Sequence, residues 1–362
     1  MAFSFKDLFG GFGGDSVLGI DIGTSSIKVV QLKKEKERAI LETYGELSLG
    51  PYANYGVGQA AKLSEDVVVG AIKDLLRESN VKAKNVAVSI PLSSSFVTVI
   101  SVPHFADNIS EIIKMEAKKY IPVPISEVNL DWWVLPEKEK KANTEGDVNK
   151  KKFSHALLVA IHKDIISGYQ SLISKIGLSV KAYELECFSM SRSCIGRESS
   201  PVAIVDMGAS TTKIAIVDYG VMKSAHSINK GSQDLTLVLS HSLSVDFGRA
   251  EELKREIGLS DLPEHREMVT VIEPMLDYIL SEVVNLIKDF NKKYQRSVGK
   301  VLLVGGGSQL KGLVDYSVKR LAISVEMAEP FNKVEYPVFL SKVLQESGVD
   351  FSVALGLALR IL

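Results

Sequence analysis

Residues 17–32 read VLGIDIGTSSIKVVQL, and residues 202–220 repeat the same design as VAIVDMGASTTKIAIVDYG. Each stretch passes from an apolar strand through Asp-x-Gly and a run of small hydroxyl residues to a lysine and a second apolar strand. A single copy is explained equally well as an ordinary hairpin in which Asp and Gly serve only the turn. Two aligned copies instead favour a duplicated unit whose halves face each other across a cleft.

The residue types of the two turns suit the binding of nucleotide phosphates. Gly23 and Gly208 allow backbone N–H groups to turn towards phosphate oxygens, and Lys28 supplies a point charge for a β- or γ-phosphate. Because Mg²⁺ keeps several waters and takes few carboxylates, we expect Asp21 and Asp206 to hold it through its water shell. The repeat therefore predicts a site for a nucleotide with Mg²⁺ between the halves.

A glycine-rich turn follows the second copy. Residues 301–321, VLLVGGGSQLKGLVDYSVKRL, predict a strand, a turn of three glycines and an amphipathic helix. We expect the glycines to let a flat adenine ring or a ribose come close, and Ser308 to cap the helix. Residues 249–258, RAEELKREIG, lie between the second hairpin and this turn and predict a helix that contacts the base.

The composition is that of a globular chain, with 362 residues, 46% hydrophobic and 24% charged residues, and a formal net charge of −1. A net charge so close to zero gives no global field that would recruit nucleic acid or an anionic lipid surface. The first residues lack a basic region followed by a long apolar core, and no run approaches the roughly 18 apolar residues of a spanning helix. We therefore expect a cytoplasmic protein without a membrane span.

The pattern of strands and helices predicts two lobes and an inserted unit. In this part of the chain, a strand, a helix and a strand lead into a lysine-rich polar loop, and the strand at 153–161 that follows gives a small β-α-β-β pattern that fits an insertion. The Phe- and Gly-rich start is either a docking peptide or a loose end, because its glycines disfavour a long helix. The expected division is a segment at 1–15, lobe 1 at 16–92, 153–200 and 350–362, the insertion at 93–152, and lobe 2 at 201–349.

These segments, in this order, resemble the superfamily of actin, sugar kinases and heat-shock chaperone ATPases. Within it the chain resembles the PilM family of type IV pilus assembly and, next, the cell-division protein FtsA. The PilM likeness covers nearly the whole chain, including VAVSIPLSSSFVTVISVP at 86–103 and HALLVAIHKDIISGYQSLISKIGL at 155–178. It implies an α/β, bilobal actin-like ATPase fold of duplicated ribonuclease H-like domains with an FtsA-type inserted subdomain.

The resemblance implies ATP as the nucleotide and assigns roles to the matching residues. The first phosphate motif contains Asp21, Gly23, Thr24, Ser25 and Lys28, the second contains Asp206, Gly208, Ser210 and Thr211, and the adenosine motif contains Gly305, Gly306, Gly307 and Ser308. An Ala-Glu-x-x-Lys element places Glu251 at the ribose hydroxyls and Lys254 along the base. The alternative for this pair is an exposed ion pair along one helix.

Hydrolysis of ATP requires a group that orients water in line with the γ-phosphate. Relatives place a Glu or Gln for this purpose at the start of the first helix between the lobes. Glu186 matches that position, and Glu184 is the second choice. The alternative for Glu186 is a plain N-terminal carboxylate favoured by the helix dipole. A slow ATPase, or none at all, is compatible with the sequence.

The insertion carries aromatic residues that favour a groove for a peptide, namely Phe105, Tyr120, Trp132 and Trp133. The alternative is that each Trp is half-buried core, as is more common in strands. In the family, a short cytoplasmic segment of the membrane protein PilN lies between the insertion and lobe 1. The resemblance thus implies an ATP-binding adaptor held at the inner face of the inner membrane by a PilN-like partner. The alternatives are an FtsA-like, filament-forming ATPase and an enzyme of the sugar-kinase type.

Overall fold

The structure is a computed structural model, and it describes residues 16–103, 109–135 and 153–362. The strands of these ranges are β1 (Val17–Ile22), β2 (Ser26–Glu35), β3 (Arg38–Ser48), β4 (Asn85–Ile90), β5 (Ser95–Pro103), β6 (Val128–Val134), β7 (Phe153–His162), β8 (Ser179–Leu185), β9 (Val202–Met207), β10 (Thr212–Asp218), β11 (Val221–Ile228), β12 (Lys300–Val304) and β13 (Ser324–Met327). The helices are α1 (Glu65–Glu78), α2 (Ile109–Ala117), α3 (Lys163–Ile176), α4 (Glu186–Cys194), α5 (Ser232–Leu243), α6 (Phe247–Ile257), α7 (Arg266–Tyr294), α8 (Leu313–Leu321), α9 (Ser341–Ser347) and α10 (Ser352–Ile361).

Two five-stranded sheets have the same topology. Their strand orders are β3-β2-β1-β4-β8 and β11-β10-β9-β12-β13, so each begins with an antiparallel three-strand meander and adds two parallel strands. The second sheet repeats these directions through its own pairings. The predicted duplication is confirmed, and each Asp-x-Gly hairpin supplies the two central antiparallel strands of its sheet.

Helices α4 and α10 lie between the two sheets. Val30 of the first sheet, Ile204 of the second and Leu355 of α10 belong to one continuous buried core. Glycines allow the close packing of α10: a Cβ on Gly19 would collide with the backbone of Ala354, and a Cβ on Gly356 would collide with the carbonyl of Ser189 in α4. The two helices therefore hold the sheets together, as expected for helices between lobes.

A third, three-stranded antiparallel sheet has the order β5-β7-β6 and carries α2 on one face. This sheet is the inserted unit. The expected boundary at residue 152 assigned β7 to lobe 1, but β7 is the central strand of the inserted sheet. We therefore propose that the insertion extends through β7, and that lobe 1 resumes at α3.

The remaining expectations for the insertion and the N-terminal segment lie outside the described residues. These are the 1–15 segment, the lysine-rich loop at 136–152 and Phe105. Within the described ranges, no helix combines the length and hydrophobicity that crossing a bilayer requires.

Candidate functional site

The two Asp-x-Gly turns have the same geometry. The N–H of Gly23 donates to the carbonyl of Ser26 at 3.0 Å, and the N–H of Gly208 donates to the carbonyl of Thr211 at 3.0 Å. These two N–H groups therefore serve the turns themselves, and the expectation that backbone N–H groups of the turns face phosphate stays a prediction. Both turns require glycine, because a Cβ at either position would lie within about 3 Å of the same carbonyl oxygen.

The turns of the two lobes meet directly. The hydroxyl oxygens Thr24 Oγ1 and Ser210 Oγ are 2.9 Å apart, close enough for one to donate to the other. A second hydrogen bond also joins the lobes, because the N–H of Ala60 donates to Oε1 of Gln233 at 3.0 Å. The structure thus brings the two predicted phosphate motifs together on one cleft, with the lobes in contact across it.

Three carboxylates and one lysine form a buried cluster at the base of the cleft. Lys213 Nζ lies 3.2 Å from Asp206 Oδ2 and 3.0 Å from Glu186 Oε1. The other oxygen of Glu186 accepts the N–H of Leu92 at 3.0 Å. Asp21 completes the cluster electrostatically, since its carboxylate interacts with Lys213 and Asp206. Glu186 is the first residue of α4, where the sequence placed it, and it is buried.

Burial dominates the acid–base behaviour of this cluster. It raises the pKa of Asp21 and of Glu186, and the nearby ammonium of Lys213 only partly opposes the shift. Burial alone would lower the pKa of Lys213, but the carboxylates of Asp206 and Glu186 outweigh it and raise that pKa. Lys213 is therefore firmly protonated, and it is shared among more negative charge than it can neutralise.

Ser89 holds Asp21 in place and was not identified from the sequence. Its hydroxyl donates to Asp21 Oδ1 at 2.8 Å and accepts the N–H of Ile22 at 3.2 Å. Ser89 is the penultimate residue of β4, the neighbour of β1, so the sheet brings it beside the phosphate turn. A single serine in a strand gives no sequence signal for this role.

Lys28 lies opposite Asp21 in the first hairpin, interacts electrostatically with Asp21 and Asp206, and joins them to a second charged group. Its ammonium is 3.4 Å from Glu46, and it also interacts with Asp350, which precedes α10. Asp350 accepts a hydrogen bond from Gln309 at 2.8 Å. Burial raises the pKa of Asp350 to about 6, against the opposing charge of Lys28. The group links the first phosphate hairpin to the glycine turn of lobe 2.

The glycine turn packs against the second phosphate motif. Gly305 has φ +81°, and a Cβ there would collide with the carboxylate of Asp206. Ser308 does not cap the following helix, contrary to expectation, because its hydroxyl donates to the carbonyl of Gly305 at 2.6 Å and α8 begins only at Leu313. Ser308 instead fixes the turn. Gly306 faces Asp350, and Gly307 packs on Met207.

The predicted base-contacting helix is α6, and its Glu251 and Lys254 form an ion pair of 2.6 Å. The pair is buried, so the alternative of an exposed ion pair is wrong, and the expected contacts with ribose and base stay a prediction. Thr236 of α5 donates to Glu251 at 2.6 Å and accepts from Lys254 at 2.9 Å. Burial raises the pKa of Glu251, but the charge of Lys254 together with the hydrogen bonds from Lys254, Thr236 and Arg255 lowers that pKa overall. Gly58 of lobe 1 lies directly against Glu251.

Asp21 and Asp206 are the residues that could hold Mg²⁺. They are oxygen ligands on opposite halves of one cleft, which suits an ion held largely by its waters. Their type therefore fits the ion, but Lys213 already interacts with both. Within the described ranges, no group of three or more His, Cys, Asp or Glu side chains is arranged to hold a metal directly.

A narrow groove separates the insertion from lobe 1. It has a volume of about 30 Å³ and is lined by Asn129, Asp131, Val159, Ile161, Tyr183, Glu184, Leu185, Phe188 and Arg360. None of the described aromatic residues expected in a peptide groove lines it. Trp132 packs with α2 inside the insertion, Trp133 packs on the central core, and Tyr120 is half exposed. A peptide site between the insertion and lobe 1 stays a prediction.

The charged floor of the groove contains Glu184, the second choice for water positioning. Arg192 donates to both of its oxygens, at 2.6 and 2.8 Å, and Arg360 donates to one at 2.9 Å. Glu184 therefore lies on the groove side of lobe 1, bound by two arginines, while Glu186 faces the cleft between the lobes. Burial raises the pKa of the neighbouring Asp131 to about 6.

Comparison with known proteins is consistent with this architecture. A chain of the PilM–PilN type IV pilus biogenesis complex is 25% identical and has a TM-score of 0.78, with 95% of this chain and 98% of that chain covered. FtsA of Enterococcus hirae is 23% identical over 94% of this chain and 83% of its own length. MreB5 of Spiroplasma citri, solved bound to AMPPNP, is 11% identical with a TM-score of 0.54 and 95% coverage of both chains.

The family profile decides the assignment. The profile of the type IV pilus assembly protein PilM matches residues 19–362, which include both Asp-x-Gly turns, the insertion and the glycine turn. The chain has the actin-like ATPase fold and belongs to the PilM family of type IV pilus assembly proteins.

Proposed function

We propose that this protein is a cytoplasmic, ATP-binding adaptor of type IV pilus assembly that grips the cytoplasmic tail of a PilN-like inner-membrane protein. The observation that carries the nucleotide half of the proposal is the contact between Thr24 and Ser210, because it aligns the two phosphate motifs on one cleft. Membership of the PilM family and the likeness to a chain of the PilM–PilN complex support the partner.

The proposed nucleotide site uses both lobes. Its phosphate-binding residues are Asp21, Gly23, Thr24, Ser25, Lys28, Asp206, Gly208, Ser210 and Thr211, and its adenosine-binding residues are Glu251, Lys254, Gly305, Gly306, Gly307 and Ser308. Mg²⁺ bound through water at Asp21 and Asp206 would neutralise phosphate charge. Glu186 is the candidate for positioning a hydrolytic water, but both of its oxygens are engaged by Lys213 and Leu92. This arrangement favours slow turnover, with the nucleotide acting mainly as a ligand that biases lobe closure.

The proposed tail site is the groove between the insertion and lobe 1. Two strand edges border it, because β6 and β8 are each paired on one side only. An extended segment can add to such an edge through backbone hydrogen bonds, while side pockets select its residues. The groove volume of about 30 Å³ has room for a few waters only. Tail binding therefore requires the insertion to move away from lobe 1.

Calorimetry with two ligands tests the proposal. The full chain is titrated with ATP in Mg²⁺ buffer and, separately, with a peptide of the partner's cytoplasmic N-terminal segment. Asp21→Ala should abolish the ATP signal and retain the peptide signal. Phe188→Ala, which removes an aromatic wall of the groove, should weaken the peptide signal and retain the ATP signal. The exposed Tyr278→Ala in lobe 2 is the matched control and should change neither. Failure of the unmodified protein to bind either ligand would sink the proposal.

A filament-forming, FtsA-like activity is the second candidate, because FtsA of Enterococcus hirae aligns with nearly the whole chain. Sedimentation with ATP over lipid vesicles separates the two functions. Filaments that pellet with ATP alone, without the partner peptide, would favour the second candidate over the adaptor.

A further inference from the structure

The two lysines of the repeat occupy equivalent positions but have different partners. Each lies opposite the aspartate of its own hairpin in the antiparallel register, Lys28 opposite Asp21 and Lys213 opposite Asp206. Lys28 extends to Glu46 on the neighbouring strand. Lys213 instead bridges Asp206 and Glu186 across the interface between lobe 2 and α4. Sequence alignment of the repeat cannot show this difference.

The ammonium of Lys213 engages the same carboxylates that the cleft offers to a divalent cation. It lies 3.2 Å from Asp206 Oδ2 and interacts electrostatically with Asp21, as Lys28 also does. The side chain of Lys213 is only 13% exposed. Two cations cannot share this space without strong repulsion, because unit charges a few ångströms apart interact strongly where water is largely excluded.

We propose that Lys213 is the built-in cation of the phosphate cleft, and that a divalent metal binds there only by displacing it from Asp206 and Glu186. This inference rests on the proposed nucleotide site. It makes Lys213 a positioning residue with two consequences. It partly compensates the three carboxylates when metal is absent, and it holds Glu186 away from any hydrolytic water until metal arrives.

Binding of Mn²⁺ without nucleotide tests the proposal, with free Mn²⁺ measured by electron paramagnetic resonance. Lys213→Met should bind Mn²⁺ at least about tenfold more tightly than the unmodified protein, because a buried positive charge at contact distance has been removed. Lys300→Met is the matched control, because Lys300 also pairs with two carboxylates, Glu198 at 3.2 Å and Glu326 at 2.7 Å, outside the proposed nucleotide site, and it should change the affinity less. Equal effects of the two substitutions, or no effect of Lys213→Met, would overturn the proposal.

Thermal unfolding shows whether Lys213→Met folds and whether Mg²⁺ stabilises it. Lys213→Met leaves three carboxylates without their ammonium, so its melting temperature should fall in EDTA and recover with Mg²⁺, whereas that of the unmodified protein should barely respond to Mg²⁺ alone. The double variant Lys213→Met/Glu186→Gln removes one negative charge together with the positive one and should melt higher in EDTA than Lys213→Met. A melting temperature of Lys213→Met that is insensitive to Mg²⁺ would contradict the inference.

Titration with ATP separates this inference from the proposed function. In EDTA, Lys213→Met should bind ATP more weakly than the unmodified protein, because the triphosphate then meets uncompensated carboxylates. In Mg²⁺ buffer the order should reverse. Absence of ATP binding to every variant under both conditions would refute the nucleotide site, while the Mn²⁺ measurement would still decide whether Lys213 competes with metal. The same order of affinities in both buffers would refute the role of Lys213.

Discussion

Removing the charge of Glu184 should destabilise the junction between β8 and α4, which lies beneath the groove. Glu184 is 4% exposed, and it accepts three hydrogen bonds from Arg192 and Arg360 and a fourth from Ser189 at 2.6 Å. Arg192 also donates to the carbonyl of Gly356 at 3.0 Å, so the network ties β8 and α4 to α10. Breaking a buried ion pair from one side costs about 3–5 kcal/mol, because the remaining charge is left uncompensated. We expect Glu184→Gln to lower the free energy of unfolding by that amount.

Urea unfolding followed by circular dichroism measures this change. The matched control is Glu78→Gln, since Glu78 forms an exposed pair with Arg77 at 3.1 Å, and such pairs contribute about 0–1 kcal/mol. Burial raises the pKa of Glu184, but Arg192 and Arg360 outweigh it and lower that pKa overall. The contribution of Glu184 should therefore be complete above its unfolded pKa and disappear as the pH falls through the lowered folded value. A loss of less than about 1 kcal/mol at neutral pH would show that solvent already screens the network.

Three further substitutions test the packing and electrostatics of the cleft. Gly356→Ala should lower the free energy of unfolding in urea by about 1–3 kcal/mol, since its methyl group meets the carbonyl of Ser189. Gly168→Ala in α3 has open space around it and should raise the free energy of unfolding by about 0.5–1 kcal/mol. Gly305→Ala forces a methyl group into the carboxylate of Asp206 at φ +81°, so calorimetry should show weaker ATP binding in a folded protein. The pKa of Asp350 is raised to about 6 in the folded protein. As the pH rises from about 4, the unfolded chain loses this proton before the folded protein does. The free energy of unfolding should therefore decrease between about pH 4 and pH 6. Asp350→Asn should remove that fall and stabilise the protein above pH 6 by up to about 3 kcal/mol in urea titrations at several pH values; an unchanged pH profile would exclude this role.

The sequence predicts those parts of the molecule whose chemistry is local. The two hairpins could be identified because Asp-x-Gly, hydroxyl residues and a lysine recur between apolar strands. The glycine turn could be identified because three glycines lie between a predicted strand and a predicted helix. The boundary of the insertion could not be identified in the same way. Strand β7 is buried on both faces, so its continuous apolar run does not show which sheet it joins.

The missed site residues are those that tertiary structure brings from a distance. Ser89 reaches Asp21 from the adjacent strand, and Asp350 reaches Lys28 from the segment before α10. Neither has a spacing in the sequence that connects it with its partner. Lys213 was visible as the counterpart of Lys28, but its contact with Glu186 depends on how α4 enters between the lobes.

The junction between β8 and α4 places the two proposed binding sites within three residues of each other. Glu184 contacts Arg360 beside the groove, and Glu186 contacts Lys213 in the cleft. Leu185, between these two glutamates in the sequence, is part of the buried core. A tail that moves the insertion and α4 would change the Glu186–Lys213 contact, and a metal–nucleotide complex that displaces Lys213 would change the position of α4. Coupling between binding sites is reciprocal, so the factor by which nucleotide alters tail affinity must equal the factor by which the tail alters nucleotide affinity. Because that coupling passes through one short junction, Lys213→Met should reduce both factors equally. Lys300→Met, which removes a lysine paired with Glu198 and Glu326 outside both the junction and the proposed nucleotide site, should leave the factors unchanged.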